Sequence, residues 1–153
     1  MKLNSNSVKK YYEEIYKLIQ SQSQILNMIM KVYKDKKTPK NLPSTLSSIL
    51  DSSNQLSDFN SNLLQTGDAS SEEFELVQLI LDSTDKTLLG VHYSIEYVYR
   101  IARKENKTVA WNKDIASLSE EEVFDRLIKN FRESLNILER VINWLENIKN
   151  KSQ

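Results

Sequence analysis

A chain of 153 residues fits a single domain and, at this length, buries roughly 70% of the surface its unfolded form exposes, enough for a core without covalent staples. Lysine plus arginine and aspartate plus glutamate each number 21, so the formal charge is zero, which disfavours bulk binding to nucleic acid or anionic membranes. The absence of cysteine excludes disulfides, thiolate metal sites and thiol nucleophiles, and fits a reducing, cytoplasmic setting. Only 2 glycines and 2 prolines punctuate the chain, which predicts long helices with few connections. The polar start, Met1 to Ser7, lacks the apolar core of a signal peptide, and no apolar run approaches the length of a membrane span.

The first helix is expected from about Asn6 to Lys36. Ser5, Asn6 and Ser7 offer oxygens to cap its free amides, and Val8, Tyr11, Ile15, Leu18, Gln22, Ile25, Ile29 and Val32 keep alternating three- and four-residue steps. Pro39 and Pro43 end it, since proline disfavours helical dihedrals in the residue before it. A second helix, Pro43 to Gln65, carries Leu42, Leu46, Ile49, Leu56, Leu63 and Leu64, interrupted by Ser53 and Asn60. Its many Ser, Asn and Asp side chains compete for backbone hydrogen bonds, so propensity makes this the weakest of the helices.

Gly67 is placed to close the second helix in a left-handed conformation, and Ser70 with Glu73 has capping-box spacing. The third helix should then run from Ser71 to Glu105 on a seam of Phe74, Val77, Leu81, Thr84, Leu88, Val91, Ile95, Val98 and Ala102, with at most a kink near Asp82 to Asp85 or Gly90. Asn106 to Leu118 forms a long connection. Ser119 and Glu122 repeat the capping box before a fourth helix to Asn150, whose seam is Phe124, Ile128, Phe131, Leu135, Leu138, Ile142 and Leu145. Short connections make successive helices antiparallel, so the pattern predicts an all-α, up-down-up-down four-helix bundle, with a dimerising helical hairpin as the alternative.

Motifs for chemistry are missing. His92 is the only histidine, and Glu96, one turn on, is placed to hold its ring, yet no nucleophile stands beside it in the local geometry. The Glu-x-x-His step of di-iron bundles does not occur, and every arginine follows His92, so the Arg-spacer-His order of some small helical ribonucleases is absent. No cofactor or metal is expected.

Two binding surfaces suggest themselves. Lys34, Lys36 and Lys37 close the first helix and Arg100, Arg103 and Lys104 the third; antiparallel packing brings both ends to one pole, together with Trp111. Tyr12, Tyr16, Tyr93 and Tyr97 flank the seams and could form a tyrosine face for a protein partner. Elimination therefore points to a non-enzymatic protein-binding module, in the manner of adaptors, immunity proteins or small inhibitors. The alternatives are a nucleic-acid accessory protein using the basic pole, and a small-ligand carrier or enzyme with a pocket near His92. A homodimer is compatible with each. The Lys-, Asn- and Ser-rich composition resembles that of proteins from AT-rich bacterial or mobile-element genomes.

Overall fold

The structure is a computed structural model describing residues 5–65, 71–103 and 113–151. Among these the chain is all-helical, with α1 over Ser5–Asp35, α2 over Leu42–Gln65, α3 over Ser71–Arg103, α4 over Lys113–Ala116 and α5 over Glu120–Lys151. The expected caps at Gly67 and Ser70 lie outside the described residues. The connection expected to reach Leu118 contains the single turn α4, which buries Ile115.

Helix α1 buries the expected seam from Tyr11 to Val32, including the polar Gln22. It stops at Lys36, which adopts a left-handed φ of 56° while its amide bonds back to the Val32 carbonyl at 2.8 Å. That conformation ends a helix most easily on glycine or asparagine; here lysine carries it. Helix α2 is a full helix despite its polar composition. Ser44 Oγ and Thr45 Oγ1 both donate to the Asn41 carbonyl at 2.9 Å, so these hydroxyls brace the first turn. Phe59, absent from the expected stripe, is buried and stacks on Tyr11 with ring centroids 3.3 Å apart. Asn60 reaches across to donate to the Val77 carbonyl of α3 at 3.2 Å.

Helix α5 opens with the expected capping box: the Glu122 amide donates to Ser119 Oγ at 3.1 Å and the Ser119 amide to Glu122 Oε1 at 3.4 Å. Phe124, Phe131, Leu138 and Leu145 are buried at heptad spacing, together with Leu127, Ser134 and Val141. Leu135 and Ile142 sit half-buried at the margin.

The long helices contact one another in a ring: α1 packs on α2 and α5, and α3 on α2 and α5. Two of these pairs run in opposite directions. On α3 and α5, Lys86 meets Glu133 while Tyr97 meets Phe124; on α1 and α5, Gln22 meets Ser134 while Lys36 meets Glu120.

The expected seam of α3 needs correction. Val77, Thr84 and Val91 are buried, but Phe74, Leu81, Leu88 and Ile95 are 53%, 41%, 41% and 47% exposed. The row that enters the core is Leu76, Ile80, Ser83, Thr87, Gly90, Ser94, Tyr97 and Ile101. Its middle is small and polar because α3 and α5 approach closely there. An added Cβ on Gly90 would stand 2.7 Å from a ring carbon of Phe131. The hydroxyls in this row are satisfied locally: Thr87 donates to the Ser83 carbonyl at 2.8 Å and Ser94 to the Gly90 carbonyl at 2.7 Å. No break interrupts α3 at Asp82 to Asp85 or at Gly90.

Candidate functional site

The row displaced from the core by this rotation is an exposed apolar surface. Phe74, Leu81, Leu88 and Ile95 recur at every seventh position of α3, so they form one apolar stripe beside α2. Leu89 adds a further 39% exposed side chain. At the Ile95 end the stripe runs into a groove of about 440 Å³ between the start of α2 and the end of α3. Pro43, Leu46 and Leu50 form one wall, Ile95, Val98 and Tyr99 the other. Large apolar side chains in a contiguous row differ from the singly scattered ones of an ordinary surface, because together they offer a desolvation gain to whatever covers them.

The basic pole comes together only in part. Lys34, Lys36 and Lys37 are exposed where α1 ends. Arg100 is turned inward and is 8% exposed. Its Nε donates to Glu96 Oε1 at 2.8 Å, Nη2 donates to the Ile115 carbonyl at 3.2 Å, and Nη1 donates to the Leu118 carbonyl. Arg100 thus fixes α4 and the entry to α5, which is a correction to its expected place among solvent-facing cations. The Arg103 side chain, Lys104 and Trp111 lie outside the described residues. Acid residues share this pole. Lys36 stands 3.5 Å from Glu120, and the Tyr33 hydroxyl donates to Glu121 at 3.2 Å, a carboxylate that pushes the phenol's pKa up.

The four tyrosines do not share one face. Tyr16 is 52% exposed and lies 6.1 Å, centroid to centroid, from half-buried Tyr12. Tyr93 and Tyr97 are 7% and 1% exposed, a correction to their expected position at the margin: with α3 rotated, they point at α5. Tyr97 packs on Phe124 at 5.5 Å, and burial first, then Glu120 and Glu121, drives its pKa well above the ordinary phenol value. His92 is half-buried on α3, and Glu96, one turn on, holds Arg100 at 2.8 Å.

A second feature lies inside. Gln22 of α1 donates to Thr87 Oγ1 at 3.2 Å and Ser134 Oγ at 3.1 Å, and both hydroxyls lie within reach of the Ser83 carbonyl. This network joins α1, α3 and α5 where all three side chains are fully buried, and a polar group at mid-seam of this kind can set the register of packed helices. Among the described residues, no group of three or more His, Asp or Glu converges to hold a metal ion, and no helix is long and apolar enough to cross a membrane.

No protein-family model matches the chain, and no curated protein or solved structure shows significant similarity to it.

Proposed function

We propose that the chain is an up-down-up-down four-helix bundle that works in the cytoplasm as a non-enzymatic protein-binding module, in the manner of an adaptor, immunity-type protein or inhibitor. The observation that carries this reading is the exposed heptad row Phe74, Leu81, Leu88 and Ile95, continuous with the groove under Pro43 and Leu50. Protein interfaces take their energy from such apolar centres rather than from isolated surface charges. The α2–α3 face therefore replaces the tyrosines as the preferred binding surface. Nucleic-acid binding by the basic pole loses support, because Arg100 is committed to Glu96 and two carbonyls and Glu120 lies against Lys36.

The test is affinity capture with the wild-type chain and a Leu81→Gln, Leu88→Gln variant, both positions being exposed enough to change without opening the core. A protein retained by the wild type and lost by the variant is expected. Equal recovery by both would reject the α2–α3 face as the binding surface.

A further inference from the structure

We infer that the occupant of the α2–α3 face is an amphipathic helix of another protein, apolar at heptad spacing and lined by lysine or arginine along its margins. This deepens the protein-binding reading and rests on it. Shape supplies the first half of the argument. The four apolar side chains from Phe74 to Ile95 mark out about 30 Å of helix at ~1.5 Å per residue. A row of that period on a straight helix is matched by a second helix lying along it, whose own side chains recur at the same interval.

Charge supplies the second half. Lys86 is the only lysine or arginine between Lys40 and Arg100, and its ammonium is held 2.9 Å from Glu133 of α5. Over the same span Glu75 and Asp85 are exposed on α3 and Asp58 on α2, while Asp51 lines the groove between α1 and α2 with Glu14 and Lys17. Because the whole chain is neutral, the compensating cations lie outside this stretch, on α1, in the C-terminal third, and at Lys37 and Lys40, which flank Thr38 at the groove end of the face. The zero net charge thus hides a segregated one. A cationic helix gains from this field on approach and from the apolar row on docking.

The same charges argue against two other occupants. A second copy docking α3 against α3 about a two-fold axis would pair Leu81 with Leu88 and Phe74 with Ile95 of its partner. That axis passes between Thr84 and Asp85, bringing Asp85 against its own copy. An anionic lipid surface would be repelled by the acidic stretch that carries the leucines, in which Glu75 and Asp85 are exposed on the same helix.

The experiment uses the full chain and two synthetic helical peptides with leucine at heptad spacing, one with lysine at the flanking positions and the other with glutamate. The lysine peptide is expected to bind, more weakly as salt rises, and at least about tenfold more tightly than the glutamate peptide. Leu81→Gln with Leu88→Gln should weaken it at least about tenfold, and Glu75→Lys with Asp85→Lys should reverse the peptide preference. Hydrogen exchange on the wild-type chain should show the lysine peptide protecting α2 and α3, a readout that needs no variant to fold. Equal binding of the two peptides, no binding of the lysine peptide, or protection elsewhere would overturn the inference. So would a wild-type dimer that the double glutamine variant turns into a monomer, which assigns the face to a second copy, or binding to phosphatidylserine vesicles lost in the same variant. Capture of a partner that depends on Leu81 and Leu88 while the lysine peptide fails would overturn the cationic helix alone. Capture indifferent to those leucines would overturn the binding face with it.

Discussion

Gly90 on α3 leaves the space that the ring of Phe131 on α5 fills, since a Cβ at position 90 would lie 2.7 Å from Phe131 Cε1 and 2.8 Å from Cδ1. Phe131 is fully buried, so its rigid ring must move the backbone or its neighbours to make way. Gly90→Ala gains about 1 kcal/mol of helix propensity but incurs overpacking of about 1–3 kcal/mol. Net destabilisation is expected in denaturant unfolding. In a Phe131→Leu background the penalty should shrink or change sign, because the opposing ring is gone. Equal effects of Gly90→Ala in the two backgrounds would show that the two helices are not in contact here.

The Gln22 network separates a missing partner from a missing pair. Thr87→Val or Ser134→Val removes an acceptor of the buried Gln22 amide and should cost about 1–3 kcal/mol. Gln22→Met keeps the volume, removes an amide oxygen that has no hydrogen-bond partner, and leaves both hydroxyls within reach of the Ser83 carbonyl. It should be neutral within about 1 kcal/mol. A loss from Gln22→Met as large as that from Ser134→Val would show the amide to be indispensable in its own right.

Arg100 should behave as a structural staple rather than a surface cation. Arg100→Met takes the guanidinium away from the Glu96 carboxylate, 2% exposed at its side chain, and removes a donor from the Ile115 and Leu118 carbonyls. Breaking such a buried pair from one side costs about 3–5 kcal/mol. Arg100→Lys retains charge but not the fork that reaches Glu96 and two carbonyls together, so it should rescue little. Amide exchange in α4 and the first turn of α5 should rise with Arg100→Lys before global stability falls. A change within a few tenths of a kcal/mol for Arg100→Met would return this residue to the solvent-facing pole.

These cases also show which parts of the molecule were legible from sequence. The seams of α1 and α5 are, because large apolar residues mark their buried rows: Tyr11 to Val32 on one, Phe124, Phe131, Leu138 and Leu145 on the other. Helix α3 misleads because its core row is built of Ser83, Thr87, Gly90 and Ser94, chosen for close approach, while the larger Phe74, Leu81, Leu88 and Ile95 stand outside. Hydropathy periodicity follows the greasier row. The four-three-four spacing of small residues was the available sign of a close helix contact. Arg100 is illegible in the sequence for a related reason: its chemistry suits a phosphate, and only the fold shows that backbone carbonyls and Glu96 use its donors first. The exposed apolar row of α3 is therefore hidden, in the sequence, inside a seam that reads as core.

The tyrosines give the molecule a pH limit on the alkaline side. Burial raises the phenol pKa of Tyr11, Tyr12 and Tyr97, and Glu121 raises that of Tyr33, so all four hold their protons to higher pH folded than unfolded. The stability this contributes is fully present below the unfolded value of about 10 and is lost as pH rises through the folded values, because the unfolded chain ionises first. Unfolding above pH ~10 is expected to be cooperative, with part of the tyrosinate absorbance appearing together with loss of helical circular dichroism rather than ahead of it. Tyr97→Phe keeps the packing on Phe124, removes a buried hydroxyl without a hydrogen-bond partner, and should move the transition to higher pH. Complete titration of all 7 tyrosines in a chain that keeps its helicity would show that none of these phenols is held by the fold.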